Sequence, residues 1–273
     1  MRKIQDRLFI HLLLILGAII TIFPFFWMVS TSLKTHTESL LIPPKWFPTS
    51  FVFSNYLEAF SQVAFPRYFL NTMIITVATL IGVLGTSCLS AYAFAHLKFP
   101  GRNLLFVSLL SLMMIPQPIY LVPSYIILSK LHWIDTYYGL IVPWTVNIFS
   151  IFLLRQHFKT IPKDLYDAAI IDGCGHFGFL WRVVIPLSRA PLITVSLFSI
   201  IASWNSFLWP LIVTNSDAMR PIQVGLAYFA QEQGSFWPLL MAASTFAILP
   251  LIIVYFFAQR QIIESFSRTG LKD

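Results

Sequence analysis

Charge is what this chain has least of. Charged residues make up 11% of its 273 residues, against roughly 25% in soluble proteins. Asp and Glu together number only 11. With 57% hydrophobic residues and 26 Phe, too few charges remain to cover the outside of a soluble fold. This excludes an ordinary soluble enzyme, a disordered chain and a nucleic-acid-binding domain. The net charge of +7 fits basic loops facing anionic lipid better than a patch for DNA. Cysteine is scarce as well. Cys88 and Cys174 form no CxxC, and no two of the six His stand at i, i+4, so no metal site is expected.

What the chain has instead is long apolar runs. A spanning helix needs about 20 mainly apolar residues. Six charge-free stretches meet or approach that length: Leu8–Val29, Tyr68–Ala95, Leu104–Leu128, Tyr137–Leu154, Ala190–Val213 and Phe236–Ala258. None alternates with strand period. The first follows Arg2, Lys3 and Arg7 like a signal peptide, but its apolar core is too long and no small-residue cleavage site closes it. It reads as a retained span. With the N-terminus inside, 13 of the 18 Lys and Arg fall on the cytoplasmic side, leaving Lys34, Lys45, Arg67, Lys130 and Arg220 outside. The positive-inside rule then puts both termini in the cytoplasm. The expected fold is an all-α membrane protein with six transmembrane helices. Residues 1–66 hold the first helix and an extracytoplasmic loop. Residues 67–260 form a five-helix core with a cytoplasmic loop at 155–189, and 261–273 form a cytoplasmic tail.

The spans contain no Asp, Glu, Lys or Arg, so proton relays and ion sites lack their usual apparatus. No HExxH and no P-loop GxxxxGK[ST] occurs. If this chain moves something uphill, the energy comes from a partner. Prolines punctuate the spans, and Met113–Pro123 reads either as kinks in a packed bundle or as a broken helix lining a passage. Gln117, Asn147 and Asn205 are amides within spans. Each makes an interhelical hydrogen bond or faces a passage. Asn205, between Trp204 and Phe207, suits a sugar best, since aromatics match its apolar face and an amide its hydroxyls.

The loop Arg155–Arg189 is the most informative stretch. Its spacing predicts a helix over Pro162–Asp172, about 16 Å long, with Asp164 at the positive end and Gly173 as the stop. A second piece over Phe177–Val184 should end before Pro186. Ala168, Ala169 and Gly173 make a low side for close approach, flanked by Asp167 and Asp172. The helix either lies on the inner leaflet or docks a protein. Its acidic residues favour a protein, because a leaflet helix carries Lys and Arg on its polar face. On the outside, Gln231-Glu232-Gln233-Gly234 reads as an exposed polar turn, either a connector or a contact for a partner. The polar tail Ser267–Asp273 can reach only what lies directly beneath the last span.

The loop resembles the EAA loop of ABC-importer permeases: Asp167-Ala168-Ala169, then Gly173, then Val183-x-Ile185-Pro186 follow that spacing. Further segments are similar to the carbohydrate-uptake permeases of the smaller, maltose-type kind. They are Pro43-Pro44-Lys45 with Asn55-Tyr56, Ser90–Ala95 with Phe99-Pro100-Gly101, Trp204-Asn205-x-Phe207-x-Trp209-Pro210, and the tail from Gln259-Arg260 through Thr269–Lys272. The resemblance implies a type I ABC-importer permease fold in a bacterial or archaeal cytoplasmic membrane. It implies a second homologous permease chain, two ATP-binding subunits that hold ATP and Mg, and an extracytoplasmic solute-binding protein. This chain would itself be non-catalytic, with no cofactor. Together with the resemblance, the reading of the residues places expected ATPase docking at Asp167, Ala168, Ala169, Asp172 and Gly173, a possible substrate passage at Asn205, Gln117, Asn147 and Trp204, and possible binding-protein contact at Gln231, Glu232, Gln233 and Gly234. The cargo would be a sugar or sugar-like solute moved by alternating access. The alternative is a standalone facilitator or channel, which would show repeated spans; none is evident between residues 1–136 and 137–273.

Overall fold

The computed structural model describes residues 2–62, 64–234 and 236–269. Every regular element among them is helical. The chain divides into two compact units, residues 1–67 with 224–249 and residues 68–223 with 250–273.

In the first unit, helix α1 (Arg2–Ser32) runs into a loop that folds back on its end. Helix ends leave carbonyls without partners. Here the Asn55 side chain donates to the carbonyls of Ser32 and Lys34 at 2.8 and 2.9 Å, and the hydroxyls of Tyr56 and Ser32 meet at 2.7 Å. Lys34 is 2% exposed. Its ammonium donates to the Lys45 carbonyl at 2.6 Å and lies 4.3 Å from the Trp27 ring. Glu38 accepts the amide and hydroxyl of Thr49. The segments around Pro43-Pro44-Lys45 and Asn55-Tyr56 therefore close one knot at the end of α1.

In the second unit the helices are interrupted where the sequence demands it. Helix α2 (Phe65–His96) stops before Pro100, and Gly101, at φ +74°, opens α3 (Arg102–Leu112). Between α3 and α4 (Gln117–Lys130) the chain bends by 99°. Pro116 lacks an N–H and disfavours helix at Ile115. The break is confined to 113–116, while Pro123 stays inside α4, so it is shorter than the sequence suggests. The stretch 137–158 is also uneven. A 3-10 turn at Val142–Trp144 precedes α5 (Ile148–Phe158), which Asn147 caps.

The loop after α5 carries α6 (Lys163–Ile171), with Pro162 as N-cap, Asp172 as C-cap and Gly173 at φ +76°. The next helical piece does not end before Pro186. It runs His176–Leu187 and bends by 83° into α7 (Arg189–Trp204). A π turn at Leu180–Val184 makes this feasible. Pro186 would clash with the carbonyl four residues back, that of Arg182, and the wider turn moves that carbonyl aside.

The fifth apolar stretch, Ala190–Val213, is not one helix. Helix α7 ends at Trp204, and a short piece, Leu208–Val213, follows. Pro210, in the first turn of that piece, has no N–H to give the Ser206 carbonyl, which weakens the ladder beside the break. Helices α8 (Ile222–Gln233) and α9 (Trp237–Thr269) complete the order. Among the described residues, four helical stretches are long and apolar enough to cross a membrane, or six if each bent pair counts as one. The end of the expected tail, Gly270–Asp273, lies outside the described residues.

Candidate functional site

Three of the four residues expected to line a passage border one cavity in the second unit, about 640 Å³ in volume. Each stands at a helix break. Gln117 opens α4 after the bend. Asn147 caps α5, its Oδ1 accepting the amide and hydroxyl of Ser150, each at 2.9 Å. Asn205 closes α7, its Nδ2 donating to the Ile201 carbonyl at 3.0 Å, while its Oδ1 accepts Gln223 at 3.3 Å. The coincidence has a physical cause. A broken helix frees backbone groups that only polar side chains or water can satisfy, and membrane proteins tolerate such breaks beside a cavity.

Trp204 differs. It is 2% exposed, meets the Phe69 ring edge-on at 5.6 Å and does not line the cavity. Packing against Phe69 turns it inward. The wall instead includes Trp144, Phe149, Phe198 and Phe207, together with the hydroxyls of Thr79 and Ser203. No Asp, Glu, Lys, Arg or His is among the lining residues. Sequence reasoning named Phe207 beside Asn205 but missed Trp144, Phe149 and Phe198, because hydrophobic spans contain Phe and Trp everywhere. The floor is held by Trp209, whose indole N–H donates to the Gly139 carbonyl at 3.0 Å. Gly139 has to be glycine, since a Cβ there would lie 2.4 Å from the Trp133 carbonyl oxygen.

The second candidate surface is the loop carrying α6. Asp167, Ala168, Asp172 and Gly173 are exposed. Ala169 is not. It is 9% exposed and packs in a core with Phe158, Ile161 and Phe179. Its small size serves packing within this chain, so it adds no exposed surface to the low side read from the sequence. Ile171, 85% exposed, stands on the open side instead. A knot of rings joins the loop to α2. The Tyr166 ring stacks on His176 at 5.5 Å and meets Phe179 edge-on at 5.2 Å. The Tyr92 hydroxyl lies 2.9 Å from His176 Nδ1.

A third polar centre ties the 214–222 segment down. Asn71, fully buried, donates to the carbonyls of Ala218 and Arg220, both at 2.9 Å, and accepts the Tyr137 hydroxyl at 2.7 Å. Asp135 accepts the amides of Asn215 and Ser216 at 2.9 and 3.1 Å. Burial alone would raise the Asp135 pKa. The hydrogen bonds from Ser216 and Asn215, with the Arg220 charge, outweigh it and hold the carboxyl below its ordinary range. Arg220 also pairs with Asp217. Gln231 and Glu232 are exposed, but they lie in the last turn of α8 rather than in an open turn. Gly234, at φ +56°, follows the end of that helix. The Gln233 side chain lies outside the described residues.

The family described as binding-protein-dependent transport system inner membrane component matches residues 84–268. The chain belongs to this family. Arabinooligosaccharides transport system permease protein AraQ of Bacillus subtilis (strain 168) is 32% identical over 97% of this chain and 96% of its own length. The sn-glycerol-3-phosphate transport system permease protein UgpE of Rhizobium meliloti (strain 1021) is 32% identical over 95% of each chain. A chain of a bacterial ABC transporter involved in import of the acidic polysaccharide alginate superposes with TM-score 0.84, at 24% identity, over 94% of this chain and 97% of that one. The all-helical architecture with its bent spans is thus that of an ABC-importer permease. The chain is an inner-membrane transport component, and its sequence holds no P-loop GxxxxGK[ST].

Proposed function

We propose that this chain is one transmembrane half of an ATP-driven importer for a carbohydrate or carbohydrate-like solute. The single observation that carries this is the cavity bordered by three broken helices, in a chain whose relatives are transport permeases along their whole length. In this reading the bent pairs count as single spans, giving six, with both termini cytoplasmic. A second permease chain completes the channel. Two ATPase subunits bind and split ATP with Mg, and an extracytoplasmic binding protein delivers the solute. The ATPases dock on α6 through Asp167, Ala168, Asp172 and Gly173, with Ile171 as an apolar knob. Alternating access follows when their closure moves the loop, and the ring knot at Tyr92 passes that motion to α2. Gln231, Glu232 and Gly234 face the binding protein.

Family membership counts against the standalone facilitator. One relative is named for arabinooligosaccharides and another for sn-glycerol 3-phosphate.

The test is reconstitution. The chain, co-purified with its partner permease and ATPases in proteoliposomes, should take up solute only with ATP and the loaded binding protein. Uptake by this chain alone, without ATP, would overturn the importer reading.

A further inference from the structure

The cavity lining offers amides, hydroxyls and aromatic faces but no ionisable side chain. We infer that this chain's part of the passage is built for a neutral polyhydroxylated solute and disfavours anions. The inference rests on the cavity being the passage.

Three observations converge. The volume of about 640 Å³ falls within the roughly 300–1,000 Å³ of small-molecule sites. Three amides reach it from three separate breaks, and an amide both donates and accepts, as a sugar hydroxyl does. The rings of Trp144, Phe149, Phe198 and Phe207 give the apolar surface that sugar C–H faces require.

A phosphate or carboxylate entering such a space sheds water without meeting a counter-charge. That is the costliest transfer a polar group can make. Recognition of phosphate ordinarily uses Arg or Lys, and neither is present in the lining.

Asn147 permits a clean test, because Asn, Asp and Ser serve about equally as helix N-caps. Asn147→Ser keeps the cap of α5 but withdraws the amide from the cavity. Asn147→Asp keeps the cap and adds a negative charge that still accepts hydroxyl hydrogen bonds. The assay is ATP-driven uptake of a neutral trisaccharide and of glycerol 3-phosphate by the whole complex in proteoliposomes, at saturating binding protein, with co-purification of the partner chains as the folding control. Wild-type complex should take up the trisaccharide and not glycerol 3-phosphate. Asn147→Ser should lower the saturated rate about 2- to 10-fold, the scale of one lost hydrogen bond, and Asn147→Asp should lower it less. An anionic cargo reverses that order, because the new carboxylate repels it, and glycerol 3-phosphate uptake by wild type would likewise overturn the inference. Equal rates in both variants and wild type would remove the cavity from the path while leaving the importer reading intact. No ATP-dependent uptake of either solute by wild type would overturn both.

Discussion

The Tyr92 hydroxyl and His176 Nδ1 stand 2.9 Å apart, although 84 residues separate them in sequence. One belongs to an apolar helix long enough to span a bilayer. The other opens the helical piece that follows α6. With Tyr166 stacked on the same imidazole, this pair makes the loop and α2 move together. Tyr92→Phe keeps the ring and removes the hydrogen bond, worth about 0.5–1.5 kcal/mol. The expected outcome is a complex that still assembles and hydrolyses ATP but moves less solute per ATP. Simultaneous measurement of uptake and phosphate release checks it, and an unchanged ratio would falsify the linkage.

Ala168 and Ala169 are adjacent but should respond differently to the same substitution. Ala169→Leu overfills this chain's own core, costing about 1–3 kcal/mol, so the isolated permease pair should melt earlier even without ATPase. Ala168→Leu adds bulk to an exposed site and should leave that melting unchanged while reducing ATPase co-purification. Equal melting loss in both variants would contradict the burial difference.

At Gly173, apart from its two chain neighbours, no atom lies within 4 Å of the place a Cβ would take, yet φ is +76°. Space is free and only the backbone resists. A β-branched residue should cost about 1–2 kcal/mol, whereas Asn, which enters the left-handed region more readily, should cost less. Transport by Gly173→Asn should therefore exceed that of Gly173→Val. The reverse ranking would show that contact with a partner, not backbone conformation, constrains the site.

These three positions also show what could be read from the sequence. The helix at 162–172 and its glycine stop were legible, because Pro, Asp and Gly act through local backbone rules. The inward turn of Ala169 was not, since small residues suit both a close partner and a tight core. The breaks at 113–116 and 205–207 stand beside Pro116 and Pro210, yet the stretch Ala190–Val213 reads as one span because hydropathy does not register a missing N–H. Trp204 was misplaced for a related reason. Its type suggested a sugar platform, while its side of α7 was fixed only by packing against Phe69.

Asn71 and Asp135 hold the 214–222 segment together, and the pH behaviour of that segment follows from the carboxyl. The folded pKa of Asp135 lies below the ordinary value, which is about 3.9 when unfolded. The stabilisation is therefore fully present above the unfolded value and is lost as pH falls through the folded one. Protection of the Asn215 and Ser216 amides, corrected for intrinsic hydrogen exchange, should be flat from about pH 8 down to about pH 5. Loss of protection within that window would place the carboxyl in a different environment.

Orientation is testable with the two native thiols. Cys174 is partly exposed and Cys88 buried. A membrane-impermeant maleimide should label Cys174 in inside-out vesicles and not in intact cells, with Cys88 silent in both. Labelling of Cys174 from outside would invert the proposed topology.

The chargeless lining of the cavity also has an electrical consequence. Moving one elementary charge through a membrane potential of 100 mV involves about 2.3 kcal/mol. A neutral cargo crossing a neutral wall carries no such charge, so voltage neither drives its accumulation nor opposes it. A cell whose membrane potential has collapsed would keep feeding through this route for as long as its ATP lasts.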